Sequence, residues 1–251
     1  NPKNFSKKIS KYKNYICFNA LHGPFGEDGT IQKILKKNNI RFTHSGIKSS
    51  KICFDKVLTK KIISKNNILT PNFTIINSKD LNLKKLLYFK KIYKKFVIKP
   101  SKSGSSYGIK IIKNKHDLKL FLKEINIYKK NISFHNDIIV EEFISGKELT
   151  VSTINFYNNI EALAVTEIKS KNKFFDYQAK YSKGYAKHIL PANLTIKNYK
   201  KCLNSAIKIH KLLGCKSIAR TDFILNLKNN KLYFLETNTQ PGLTSVSLLP
   251  E

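Results

Sequence analysis

The chain has no methionine and no tryptophan, and Arg41 and Arg220 are its only arginines. Acids are scarce as well: 16 Asp and Glu stand against 47 Lys and Arg, a formal net charge of +31. Such an excess ordinarily suggests a nucleic-acid or membrane-surface binder. Its composition argues against that, because proteins that read bases favour arginine, whose fork pairs bidentately with phosphate and guanine. Here the positive charge is almost all lysine, scattered along the whole chain amid abundant Asn and Ile, as A/T-rich coding would produce. No nucleic-acid partner is expected, although a field of this sign draws in anions such as nucleotides. No apolar run approaches the roughly 18–20 residues needed to span a bilayer, so no membrane partner is expected either. Cys17, Cys53, Cys202 and Cys215 form no C-x-x-C pair, and no His stands at zinc-finger spacing. That excludes a zinc module and predicts four reduced, mostly buried thiols in a cytoplasmic protein.

What is present suits a globular protein. A chain of 251 residues, 41% hydrophobic and 11% aromatic, is long enough for two modest domains with their own cores. Tyr15–Leu21 reads as a buried strand running into the loop HGPFGEDG, and Thr30–Asn39 as a helix capped by Asp28 or Thr30. A helix is expected over Asp55–Asn66, and strands over Phe96–Lys99 and Gly108–Ile112, on either side of a Ser/Gly loop. Asp117–Ile127 reads as a helix. Ile138–Phe143 and Leu149–Phe156 read as strands with a turn at Ser145-Gly146, and Asn198–Leu213 as an amphipathic helix stopped by Gly214. Two strands close the chain, Ser217–Leu227 and Lys231–Asn238. The fold class is α/β at the start and α+β in the middle and end.

In a chain this poor in carboxylates, clustered acids are informative. Side chains alternate along a strand, so Arg220 and Asp222 share one face, as do Glu236 and Asn238. If Lys228–Asn230 is the hairpin loop, Leu227 pairs with Lys231, Asp222 faces Glu236 and Arg220 faces Asn238. Two facing carboxylates repel unless a cation lies between them. Hard oxygens with open positions suit Mg²⁺, which takes its remaining ligands from water and substrate phosphates. The competing reading is a surface hairpin with a weak Asp–Arg salt bridge.

Upstream, FVIKPSKSGSSYG runs strand, loop, strand. Gly104 and Gly108 free the backbone, Ser105 and Ser106 offer donors to phosphate oxygens, and Lys99 stands at the base of the loop. The spacing is not that of a P-loop, and a Gly/Ser linker is the plainer reading. In IIVEEFISGKELTV, the Glu141–Ile144 stretch suits adenine and Glu148 suits ribose hydroxyls. An ordinary hairpin explains that stretch equally well.

Taken in order, HGPFGEDG, Asp55-Lys56, KPSKSGSSYG, EEFISGKELTV, FFDYQAKY, ARTDF and LETNTQPGLTSVSLLP resemble the D-alanine–D-alanine ligases, ATP-grasp enzymes of peptidoglycan synthesis. The likeness runs from about Ile16 to Pro250. It implies residues 1–45 as the remainder of an N-terminal α/β domain, 46–139 as a central lid domain and 140–251 as a C-terminal domain. It implies ATP contacts at Lys56, Lys99, Ser105, Ser106, Glu141, Phe143, Ile144, Glu148, Phe175 and Lys180. Magnesium, two ions with Mn²⁺ as a substitute, would sit on Asp222, Glu236 and Asn238. His22, Arg220, Gly242, Ser247 and Leu248 would line the D-alanine sites. Catalysis would fall to Arg220 and the Gly242 amide as oxyanion holders, with Tyr181 bonded to Ser105 to close the site. Tyr181 also favours D-alanine over D-lactate as acceptor. The resemblance further implies a homodimer.

Family members begin with a Gly-rich strand–loop carrying a glutamate and end with a helix, and neither is matched here. The expectation is a fragment of a complete enzyme, as the missing initiator Met suggests. The alternatives are a truncated remnant that binds Mg-ATP without efficient ligation, or a D-alanine–D-lactate ligase.

Overall fold

The computed structural model describes residues 2–104, 107–132, 137–156, 159–170, 186–244 and 247–250. At the N-terminus, α1 (Pro2–Ile9) and α2 (Thr30–Lys37) lie by a two-stranded parallel ribbon of β1 (Ile16–Cys17) and β2 (Arg41–Phe42). Ile31 and Leu35 of α2 form the centre of this small core with Ile40, and Cys17, Phe25 and Phe42 pack against them. The expected buried strand over Tyr15–Leu21 is therefore corrected. Only two of its residues pair, and Tyr15, Ile16 and Phe18 are exposed. Apolarity marked the segment as strand-like, but a ribbon of two strands has too little face to cover it. Asp28 accepts from the Thr30 N–H at 2.9 Å and so shapes the entry to α2, whose N-cap is Gly29.

Two helices follow back to back, α3 (Ile47–Phe54) and α4 (Lys56–Lys65). Between them Asp55 caps α4, its carboxylate accepting from the N–H groups of Val57 and Leu58. The next elements are β3 (Phe73–Asn77), α5 (Leu83–Tyr93), β4 (Phe96–Pro100), β5 (Lys110–Ile112), α6 (Lys115–Asn131) and β6 (Asp137–Glu142). They form an antiparallel sheet in the order β3-β6-β4-β5. Leu86 and Phe89 of α5, with Leu118, Phe121 and Tyr128 of α6, bury themselves against Phe96, Ile98, Ile138 and Val140 of this sheet. A capping box between Asn114 and Asp117 starts α6.

The chain then enters a second antiparallel sheet, of β7 (Lys147–Phe156), β8 (Asn159–Ser170), β9 (Ala186–Ile189), β10 (Ile218–Asn226) and β11 (Lys231–Asn238). The order is β11-β10-β7-β8-β9. Its core joins Leu149, Val165, Phe223 and Phe234 to Cys202, Ala206 and Ile209 of α7 (Ile196–Leu212), and to Cys53 and Ile63 of α3 and α4. Thr195 caps α7 through the Asn198 N–H. No helix of the described residues is long and apolar enough to cross a membrane.

Three features position the site. First, β6 and β7 are not a hairpin: β6 belongs to one sheet and β7 to the other, and Phe143–Gly146 is the crossing. Gly146 passes so close to β10 that a Cβ there would lie 2.1 Å from the Leu225 carbonyl, so no other residue fits. Second, β6 stays paired as far as Glu142, so the smaller sheet extends beyond residue 139. Third, Asp222 does face Glu236 and Arg220 does face Asn238, but by a different route from the expected one. Asn226, not Leu227, pairs with Lys231, and a bulge between Asp222 and Phe223 restores the register. The longer loop is built by side chains: Asn226 accepts from the Lys228 N–H, Asn229 accepts from the Lys231 N–H, and Asn230 takes a positive φ.

Candidate functional site

The open face of the larger sheet meets the smaller sheet across a cavity of about 300 Å³. Lys99 of β4, Glu141 and Glu142 of β6, Phe143 and Ile144 of the crossing, Glu148, Asp222 and Glu236 all line it. Val97, Ile224 and Leu235 give it apolar walls. A second cavity, of about 210 Å³, opens on the other side of Glu236. It is lined by His22, Glu27, Lys56, Gly104, Arg220, Asn238, Gly242, Ser247 and Leu248. Glu236 lines both.

The wall of the larger cavity holds a buried charged trio. Glu141 is ion-paired with Lys99 at 2.5 Å and with Lys60 at 2.8 Å, and all three are buried. Burial alone would raise the Glu141 carboxyl, yet the two lysines hold it below the usual carboxylate range. Lys60 also donates to Thr70 Oγ1 at 2.5 Å and lies 5.2 Å from the centre of the Phe73 ring. Two cations against one anion leave a net positive charge in a poorly screened wall, which suits a polyphosphate. Across the cavity, Lys113 Nζ sits 4.5 Å from the centre of the Phe143 ring.

Burial draws Lys60 down to about 8 even though Glu141 opposes the shift. Below that pH both folded and unfolded chains carry the proton. Between about 8 and the ordinary 10.5 the folded chain holds fewer protons, so this group's share of stability rises with pH. Denaturant unfolding should therefore show wild type gaining on Lys60→Met from pH 8 to 10, by at most about 1.4 kcal/mol per pH unit. A flat difference would mean that Lys60 titrates normally.

Asp222 is bound on three sides. Arg220 Nε donates to Oδ1 at 2.9 Å, Arg220 Nη2 donates to Oδ2 at 2.8 Å, and Thr150 donates to Oδ1 at 2.6 Å. The Asp–Arg pair is thus present but is not a surface pair, since each side chain is 12% exposed. Burial works against the Arg220 charge, but Asp222, then Glu236 and Glu27, hold its pKa above the ordinary arginine value. Lys56 Nζ lies 3.7 Å from Glu236 Oε2 and donates to the Ser103 carbonyl. Among the described residues no three His, Cys, Asp or Glu side chains come together. The oxygen set is two carboxylates and the Asn238 amide. It fits a hard divalent cation better than zinc or copper, which prefer nitrogen and sulfur.

In the smaller cavity His22 Nδ1 lies 3.5 Å from Glu27 Oε1, and that carboxylate raises the imidazole pKa although burial opposes it. Glu27 also accepts from the Gly23 N–H at 2.8 Å. Gly242 approaches Ser247 closely: a Cβ at 242 would lie 2.7 Å from Ser247 Oγ. The expected residues thus fall into two groups. Lys99, Glu141, Phe143, Ile144 and Glu148 surround the larger cavity, and His22, Arg220, Gly242, Ser247 and Leu248 the smaller. Lys56 lines the smaller one rather than the larger. Ser105, Ser106, Phe175, Lys180 and Tyr181 lie outside the described residues. Lys60, Glu27 and Thr150 are the functional candidates that sequence reasoning missed. Lys60 carried a signal, standing one helical turn after Lys56.

Residues 62–251 match the family model described as D-ala D-ala ligase C-terminus. The D-alanine–D-alanine ligase of Wolbachia pipientis wMel is 42% identical over 99% of this chain and 74% of its own length. The corresponding ligase of Pelagibacter ubique is 42% identical over 99% of this chain and 78% of its own. Among solved structures, D-alanine–D-alanine ligase from Bacillus anthracis complexed with ATP matches with a TM-score of 0.74 and 28% identity, over 98% of this chain and 75% of that one. The VanG D-Ala:D-Ser ligase from Enterococcus faecalis matches with a TM-score of 0.77 and 30% identity, over 94% of this chain and 66% of that one.

Proposed function

Because this chain belongs to the D-alanine–D-alanine ligase family and has its ATP-grasp fold, we propose that its two cavities form one active centre, joined at Glu236. The reaction is the ATP-dependent ligation of two D-alanines to D-alanyl-D-alanine through an acyl phosphate, for peptidoglycan precursors. The observation that carries the reading is the placement of Glu236, which lines both the cavity walled by the lysine–glutamate trio and the one walled by His22 and Arg220.

ATP lies in the larger cavity. The crossing strand at Phe143 and Ile144 meets adenine, and Glu148 receives the ribose hydroxyls. Lys99, held by Glu141, and Lys56, from the neighbouring cavity, meet the phosphates, together with Ser105, Ser106 and Lys180, and Phe175 is a further ATP contact. Asp222, Glu236 and Asn238 would hold magnesium, two ions or manganese in their place. Bound there, the metal supplies charge neutralisation at the transferring phosphoryl group. The carboxylate of the first D-alanine takes that group from ATP, and ADP is formed. The amine of the second then attacks the acyl carbon, and phosphate leaves.

The chain's own residues orient these groups. Asp222 engages Nε and Nη2 of Arg220 and so fixes the plane of the guanidinium, leaving the Nη1 edge for a substrate oxygen. With the main-chain N–H of Gly242 it holds the oxyanion. His22, polarised by Glu27, sits against the D-alanine groups beside Ser247 and Leu248. Tyr181 and Ser105 close the site. We take the lid to run on to the Phe143–Gly146 crossing, a bound supported by the pairing of β6 with β4 as far as Glu142. By the same likeness the enzyme is a cytoplasmic homodimer.

The test is ADP release by the intact chain in Mg-ATP, with and without D-alanine. Release should depend on D-alanine and be matched by dipeptide. Release that ignores D-alanine would sink the reading, and protection from heat by Mg-ATP without dipeptide would mark a binding remnant. Mixed acceptors should give the dipeptide in preference to the D-lactate or D-serine product.

A further inference from the structure

Asn19 and Gln240 are 221 residues apart in sequence, and both amide side chains are buried. They bond reciprocally. Asn19 Nδ2 donates to Gln240 Oε1 at 2.5 Å, and Gln240 Nε2 donates to the Asn19 carbonyl at 2.9 Å and to the Leu21 carbonyl at 2.6 Å. Asn19 Nδ2 donates a second time, to the Gly26 carbonyl at 3.1 Å, and Asn19 Oδ1 accepts from the Leu21 N–H at 3.2 Å. Every donor and acceptor of the two amides is used, so the network has one low-energy arrangement.

The ends of the network explain its place. Asn19, Leu21 and Gly26 frame the loop that carries His22, and Gly26 has no room for a side chain, since a Cβ would lie 2.4 Å from the Leu21 carbonyl. The Gln240 N–H donates to Asn238 Oδ1 at 2.7 Å. One residue therefore grips the His22 loop with its side chain and Asn238 with its backbone.

We propose that the Asn19–Gln240 amide pair is a positioning latch, fixing the distance between His22 in the D-alanine cavity and the Asn238 end of β11. Neither amide lines either cavity, so the pair acts through His22 and Asn238 rather than on substrate. The inference rests on the assignment of the smaller cavity to D-alanine.

The test uses Asn19→Leu, Gln240→Met, the double variant, and Gln240→Asn. The last keeps the amide but is one methylene short, and it stands in if the apolar variants do not fold. Each single variant should raise KM for D-alanine roughly tenfold and leave KM for ATP within about twofold. The double variant should be no worse than the poorer single one, as befits one shared interaction. By NMR, the His22 imidazole should titrate nearer its ordinary 6.5 in each variant, as the loop slackens and Glu27 loses its hold. Additive effects, a parallel rise in both KM values, or an unmoved His22 titration would overturn the latch. A wild-type chain without D-alanine-dependent ADP release would instead count against the function, and the His22 titration, which needs no turnover, would still decide the latch.

Discussion

Asp222→Asn should lower kcat/KM for D-alanine on the order of a thousandfold, or about 4 kcal/mol of transition-state stabilisation. Two losses combine. The amide is a poorer ligand for a hard cation than a carboxylate, so charge on the transferring phosphoryl group is less well offset. The same change removes the anion that fixes Arg220 through Nε and Nη2. A guanidinium 12% exposed then keeps one neutral acceptor at that position in place of a bidentate carboxylate. Breaking such a pair from one side costs about 3–5 kcal/mol of stability. Activity must therefore be measured where the variant is still folded. Steady-state kinetics beside a urea melt at the same temperature will separate the two losses. A variant with near-normal kcat/KM would remove Asp222 from the metal site.

Glu141→Gln carries the second large effect, and it falls on folding and nucleotide binding together. The carboxylate is the common partner of Lys60 and Lys99. Without it two buried ammonium groups lie close together with no carboxylate between them. The expected loss is about 3–5 kcal/mol, seen as a lower urea midpoint at unchanged slope. Lys60 is already drawn down to about 8 with Glu141 opposing the shift, so without that carboxylate it should lose its proton at a lower pH than in wild type. Mg-ATP, expected to raise the melting temperature of wild type, should no longer do so for this variant. If Glu141→Gln melts like wild type, the trio does not hold the wall together.

The hairpin shows how far the sequence carries. Alternation along a strand was enough to put Arg220 with Asp222, and Glu236 with Asn238, on one face, because side-chain period is a local property. The loop was misjudged by one residue, because Asn226 closes the ladder against Lys231 and accepts from the N–H groups of Lys228 and Asn229, which takes Leu227 into the turn. The bulge cancels that error, and nothing in KLYFLETN announces it. The β6–β7 segment failed for a related reason. A strand, a Gly-containing turn and another strand look alike whether the strands pair with each other or with different sheets. Only the tertiary pairing of each strand reveals the crossing, at which Gly146 leaves no room for a Cβ beside the Leu225 carbonyl. Lys60 and Glu27 went unassigned because each acts through another residue, Glu141 and His22, and such pairings are tertiary. The exposed YICFNAL segment erred in the opposite direction, since apolarity records a tendency to be covered and not the element that covers it.

The extra residue at Leu235 makes β11 behave like a message with a frameshift. From Lys231 to Phe234 the strand keeps time with the loop, and from Glu236 to Asn238 it keeps time with the cavity. The two halves are therefore free to change separately. Loss of Leu235 would leave Phe234 and Glu236 consecutive, straighten the strand and keep Asp222 opposite Glu236. The extra leucine therefore supplies a piece of cavity wall, not the pairing of the acids.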